Sequence, residues 1–173
     1  PSDVAEDEDK SFGWSVAING DVAIVGAIED SNAGNDSGSA YVFAHYGNAW
    51  EEVQKLTASD ATEDDYFGWS VGISGNVAIV GTWYANSAYV FAYNGVTWED
   101  QAKLGPSDVA RGDWFGYSVA ISGDVAIVGS PLDDDAGNSS GSAYVFAHNG
   151  GMWEEKQKLT ASDAATSDFF GSS

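Results

Sequence analysis

One segment occurs three times in this chain, and that repetition limits the fold more than any other feature of the sequence. FGWSVAINGDVAIVG begins at Phe12, FGWSVGISGNVAIVG at Phe67 and FGYSVAISGDVAIVG at Phe115, and a fourth start, FGSS, follows at Phe170. The spacings are 55, 48 and 55 residues, and the first and third copies agree at 39 of 55 positions without a gap. The second copy is seven residues shorter between Gly81 and Ala88, where the others carry an acidic loop. Self-similarity at such a period is the signature of a repeat architecture, in which each copy is one supersecondary unit that cannot bury its apolar face alone.

Within a copy the local reading is strand throughout. Ser15 to Ile18 and Val22 to Val25 are β-branched or small, and Asn19-Gly20 between them reads as a two-residue hairpin. Ser74-Gly75 and Ser122-Gly123 are the equivalents. A third run, Ala40 to His45, alternates Tyr41, Phe43 and His45 against Val42 and Ala44. After a Tyr-Gly-Asn turn, Trp50 to Leu56 reads as a fourth strand whose Glu51, Glu52, Gln54 and Lys55 suit an edge. No stretch has a sustained helical period with caps, so the expectation is all-β. Four antiparallel strands per repeat match one β-propeller blade, with the small apolar strands near the axis and the charged strand outermost. A β-sandwich is the rival, but it needs no repeat this close.

The phrases FGWSVAINGDVAIVGA, FGYSVAISGDVAIVGSP and GSAYVFAHNG resemble FG-GAP repeats, the units of the integrin α-chain propeller. Gly129 to Pro131 spell GSP where that family has GAP, and GSAYVF stands in place of its G-x-x-Y-V-F strand. The short hairpin without a D-x-D-G-D loop is closer to the bacterial and algal type. The resemblance implies propeller blades in an extracellular or surface protein of adhesion or recognition. The division it leads to is an incoming inter-blade loop at 1–11, blades at 12–66, 67–114 and 115–169, and the start of a fourth repeat at 170–173. A ring needs about four to eight blades. The chain is therefore read as part of a longer repeat protein, or as a subunit completed by other copies.

Charge removes several partners. With 27 acidic and 6 basic residues the formal net charge is −21, which repels phosphate backbones and anionic membrane surfaces. Hydrophobic residues at 43% and aromatics at 13% argue for a packed core in spite of that charge. There is no cysteine, hence no disulfide, thiolate metal site or cysteine nucleophile. The two histidines, His45 and His148, share one repeat position that Tyr93 fills in the second copy, which reads as half-exposed packing rather than acid–base chemistry.

Three sets of residues remain as candidate sites. The acidic loops EDSNAGNDSG and LDDDAGNSSG put Asp30, Asn32 and Asp36, and Asp133 and Asp135, in a partial calcium-loop register. Gly34 and Gly137 fall one place early, and no bidentate Glu closes either loop, so a solvated turn is the plainer reading. The integrin resemblance implies calcium in this hairpin region. Asn35 and Asn138 open N-x-[ST] glycosylation sequons in the same loops. Trp83, Tyr84 and Trp114 depart from the repeat and are candidates for stacking on a sugar ring, or for filling the space of the deleted loop. Trp50, Trp98 and Trp153 recur and read as packing between blades. Arg111-Gly112-Asp113 spells RGD, but Asp65 and Asp168 hold the place of Asp113 in other copies, so a structural turn is expected there.

The expected function is a non-enzymatic extracellular or cell-surface module for recognition, adhesion or structure. A carbohydrate-binding propeller and a structural subunit of a filament or oligomer are the alternatives. The partners expected are other blades and a protein or glycan ligand, without nucleic acid or membrane insertion. An enzyme with its active site outside these residues is a further alternative.

Overall fold

The computed structural model describes residues 10–108 and 112–173. Among them are twelve strands and no helix. They are β1 (Phe12–Asn19), β2 (Val22–Ala27), β3 (Ser39–Tyr46), β4 (Ala49–Leu56), β5 (Ser70–Ser74), β6 (Val77–Gly81), β7 (Ala88–Tyr93), β8 (Trp98–Leu104), β9 (Ser118–Ser122), β10 (Val125–Ser130), β11 (Ser142–His148) and β12 (Trp153–Leu159). They form three four-stranded antiparallel meanders, β1-β2-β3-β4, β5-β6-β7-β8 and β9-β10-β11-β12. The inner strand β5 packs beside both β1 and β9, so the sheets are arranged as successive propeller blades. Most of the incoming segment 1–11 lies outside the described residues.

The hairpins form one residue later than the sequence pattern suggests. Asn19 pairs with Val22, so the turn is Gly20-Asp21, and Ser74 and Ser122 pair likewise with Val77 and Val125. Glycine takes the first turn position at φ of 58°, 56° and 56° in the three copies, where a side chain would be strained. The residue before it bonds to the next blade instead. Asn19 Oδ1 accepts the Gly75 N–H, and Ser74 Oγ accepts the Gly123 N–H, both at 3.0 Å. The supposed turn residue thus ties neighbouring blades together near the axis.

Each outer strand carries a β-bulge that the sequence does not announce. Val42 faces Gln54 but Phe43 faces Glu52, and the same shift recurs at Val90/Phe91 and Val145/Phe146. A bulge sharpens the local twist of an edge strand.

Blade faces form the core. Phe67 and Phe115 are fully buried, each edge-on to the third-strand aromatics of its own blade: Phe67 meets Tyr89 and Phe91, and Phe115 meets Tyr144 and Phe146. One cluster fills the space between the first and second blades, with Ile24, Val42, Ile73, Val80 and Trp98. A second, with Ile79, Val90, Phe115, Val128 and Tyr144, fills the next. Trp98 is the buried member of the recurring Trp position, and its backbone N–H and C=O take both ends of the Gln54 amide across the blade boundary.

Backbones meet most closely at the Phe-Gly step. Ser15, Ser70 and Ser118 donate across the boundary to the carbonyls of Gly68, Gly116 and Gly171, at 2.6, 2.8 and 2.8 Å. A Cβ at Gly26, Gly81 or Gly129 would lie 2.1, 2.0 or 1.9 Å from those same carbonyl oxygens. Glycine is obligatory because backbone, which cannot swing aside, would receive the clash. Gly81→Ala is expected to lower the urea unfolding free energy by at least about 2 kcal/mol through overpacking. Gly105→Ala, with nothing within 4 Å of the new methyl, is expected to stay within about 0.5 kcal/mol of the parent. Equal midpoints for the two variants would contradict this packing.

Candidate functional site

The acidic loop after the second strand works first as a clamp. In blade 1 the carbonyls of Asn35, Asp36 and Ser37 accept the N–H groups of Asp64, Tyr66 and Phe67 at 2.9, 3.0 and 2.9 Å. In blade 3 Asn138, Ser139 and Ser140 accept Ser167, Phe169 and Phe170 in the same order. The loop therefore holds the segment that leads into the next blade. Asp65 accepts the Thr62 N–H and hydroxyl, and Asp168 accepts the Ala165 N–H, which makes both of them turn-forming residues, as expected. Arg111 of the RGD lies outside the described residues, and the Asp113 carbonyl accepts Ser130 Oγ and the Leu132 N–H.

The calcium candidates are not arranged alike in the two loops. Asp30 is fully buried: Lys55 Nζ and the Tyr41 hydroxyl each lie 2.7 Å from its Oδ2, and Oδ1 accepts the Asn32 N–H at 3.2 Å. Asp36 instead takes a hydrogen bond from the Asn35 amide, and the Asn32 side chain is exposed. In blade 3, Asp133 and Asp135 converge with Asp108 of the preceding inter-blade segment, their nearest carboxylate oxygens all within 4.8 Å of one another. Lys158 Nζ sits among the three, at 2.7, 2.5 and 2.6 Å from Asp133, Asp135 and Asp108. Calcium needs about six to eight oxygens. An ammonium already fills the point where these carboxylates meet, so the set as built fits a lysine and not calcium.

This Lys–Tyr–Asp arrangement is common to all blades, because Lys103 and the Tyr89 hydroxyl meet Asp60 at 2.7 and 2.6 Å. Each lysine also lies 5.2 Å from the centre of the tyrosine ring. Burial alone would raise the Asp30, Asp108 and Asp133 carboxyls, but hydrogen bonds and charge from the lysine and tyrosine outweigh it and hold all three below the ordinary range. At Asp60 the Lys103 hydrogen bond is the leading cause of the same downward shift.

A belt of aromatic rings crosses the three blades where the inner strands begin. Trp14 packs on Trp69, Trp69 on Trp83 and Tyr117, Trp83 edge-on to Trp114, and Trp114 stacks on Tyr117. Trp83 thus takes up the space beside the deleted loop, with its indole N–H buried and without an acceptor. Trp114 has φ of 59°, but Ser11, Tyr66 and Phe169 share that conformation at the equivalent place, so it belongs to the repeat. Tyr84 points outward at 70% exposure. Beside it a cleft of about 870 Å³ is lined by Asp60, Asp65, Tyr84, Asn86, Lys103 and Trp114, among others. Of these the sequence pattern singles out Tyr84 and Trp114 but not Asp60 and Lys103. The signal for that pair is the repeated Ser-Asp and Lys-Leu, which put three of only six basic residues at one repeat position.

The glycosylation candidates Asn35 and Asn138 are both exposed at loop tips. His45, Tyr93 and His148 each pack on the tryptophan that opens the next strand, with ring centres 5.2 to 5.6 Å apart, and His45 and His148 are half-buried.

Meanders packed side by side through their inner strands define a propeller-type fold. A family profile described as the FG-GAP repeat matches residues 1–43, 50–91, 98–146 and 153–173, and the chain belongs to that family. Each internal match joins the outer strand of one sheet to the first three strands of the next, so the family's unit is out of phase with the blades by one strand. Among solved structures the chain is similar to Sqt1 of Saccharomyces cerevisiae, with a TM-score of 0.56 and 10% identity over 91% of this chain and 38% of that one. The chain thus spans less than two fifths of that neighbour's length. The N-terminal domain of Nup159 aligns at 12% identity over 86% of this chain and 30% of that one, with a TM-score of 0.43. Among curated proteins none matches.

The depressed carboxyls set a pH dependence. Ordinary aspartate titrates near about 3.9 in an unfolded chain. Groups held lower in the fold stabilise it above that value, and the stabilisation is lost as pH falls through their folded pKa. Urea unfolding from pH 6 to pH 3 is expected to show the parent losing its advantage over Asp133→Asn below about pH 4. A gap between the two that stays constant across that range would contradict the Lys158–Asp133 pairing.

Proposed function

We propose that this chain is a non-enzymatic extracellular recognition or adhesion module, forming three blades of a larger FG-GAP propeller that further blades complete. The observation that carries this reading is the unequal exposure of equivalent residues. Val16 and Ile18 on β1 are 70% and 65% exposed, while Ile73, the counterpart of Ile18 in the middle blade, is 8% exposed. Trp50 is 45% exposed and its counterpart Trp98 only 6%. At the other end Ile127 is 37% exposed, whereas the equivalent Ile24 and Ile79 are fully covered. Apolar side chains left open at both ends of the array, where their counterparts between blades are covered, mark interaction surfaces. Their natural cover is another blade of the same type, because the middle blade shows such faces matched to each other.

The non-enzymatic part of the reading draws on the FG-GAP family, and on both histidines being packed against tryptophan. The surface location draws on the family resemblance and on the acidity, which keeps a module soluble and repels polyanions. Exposed Asn35 and Asn138 fit the same location. Calcium has a weaker place in this reading, because it would have to displace Lys158.

Association state tests the reading. The purified chain is expected to self-associate at tens of micromolar in sedimentation equilibrium, and Val16→Glu with Ile18→Glu to run as a single 18.1 kDa species with unchanged circular dichroism. A parent that stays monodisperse at 18.1 kDa would argue against blades in need of neighbours. Expressed through a eukaryotic secretory pathway, the chain is expected to gain two glycosidase-sensitive mass steps, one lost in Asn35→Gln and the other in Asn138→Gln.

A further inference from the structure

We propose that the cleft opened by the shortened loop of the middle blade binds a neutral saccharide, stacked on Tyr84 and Trp114 and hydrogen-bonded by the Asp60–Lys103 pair. This rests on reading the module as one of recognition, and gives that recognition a site and a ligand class.

In blades 1 and 3 the acidic loop covers the lysine: Asp30 and Asp133 are buried against Lys55 and Lys158, whose side chains are each 20% exposed. The middle blade has no such loop and no equivalent aspartate. Its lysine, Lys103, pairs with the inter-blade Asp60, and the two side chains are 45% and 55% exposed. The deletion thus turns a covered ion pair into an accessible one and leaves the cleft of about 870 Å³ beside it. That volume lies within the range of about 300–1,000 Å³ for ligand sites.

The lining carries both kinds of contact that a pyranose ring needs. Such a ring has an apolar C–H face and an equatorial belt of hydroxyls that both donate and accept. Tyr84 and Trp114 supply aromatic surface, and Trp83, held between Trp69 and Trp114, fixes the chain just before Tyr84. Asp60 offers acceptors and Lys103 donors, held 2.7 Å apart, so neighbouring hydroxyls can bridge them without either charge first losing its partner. Asn86 adds an amide whose Oδ1 is fixed by the Phe115 N–H at 3.2 Å. Preorganised polar groups of this sort lower the ordering cost of binding. Asp65 and the net charge of −21 disfavour sulfated or uronate-rich glycans, which leaves neutral sugars.

A binding experiment on the whole chain would use a panel of neutral oligosaccharides, with heparin and chondroitin sulfate as anionic probes, read by saturation-transfer NMR and by titration calorimetry. At least one neutral oligosaccharide is expected to bind. Tyr84→Ala should weaken it at least about tenfold, a loss of about 1.4 kcal/mol, while Tyr46→Ala, exposed on the first blade away from the cleft, should leave it unchanged. Replacing Thr82–Ser87 with the Ala27–Ser39 loop should abolish binding, with unchanged circular dichroism showing that the graft folds. Binding of sulfated glycans alone, no binding by any neutral probe, or affinity unmoved by Tyr84→Ala would each overturn the proposal. The sedimentation behaviour of the β1 variant judges the blade reading separately, whichever way the saccharide result falls.

Discussion

The structure depends on one close approach of backbone to backbone. At each blade boundary the carbonyl of the Phe-Gly glycine sits against the Cα of the glycine near the end of the preceding second strand, and a serine of the earlier blade donates to it. No side chain could fit between them. Next to that approach, Phe67 and Phe115 are fully buried against the third-strand aromatics of their own blades. It also explains why Phe-Gly and Val-Gly are the most repetitive parts of the sequence.

Around that joint the acidic loops and the lysines act together. Loop carbonyls hold the next inter-blade segment, and the loop aspartate neutralises the lysine of the outer strand. A chain with so few basic residues has used two of them, Lys55 and Lys158, in this role. Calcium-like spacing in the loop is thus explained by turn geometry and by a lysine partner.

The middle blade departs from its neighbours in a single respect with several consequences. Without the loop, Trp83 enters the aromatic belt, Asn86 replaces the loop contact to the next Phe-Gly, and Lys103 with Asp60 is left open to solvent. A deletion that only shortened a turn would not need two large aromatics in its place.

Much of the fold was legible in the sequence, because strand periodicity, turn glycines and repetition are local properties that each copy states independently. The four strands per repeat, the absence of helix in the described residues, the edge character of the last strand and the packing role of Trp98 follow from those patterns. The turn register was off by one residue, since Asn19 looks like a turn former and serves instead as an acceptor for the next blade. The bulges in β4, β8 and β12 left no trace in composition, and the convergence of Asp108 with Asp133 and Asp135 could not be read from residues some 25 positions apart. Sequence alone determined what each copy would become. Only the tertiary structure decided which copies cover one another and which carboxylates meet each lysine, because burial depends on the neighbour and no repeat encodes its neighbour's presence.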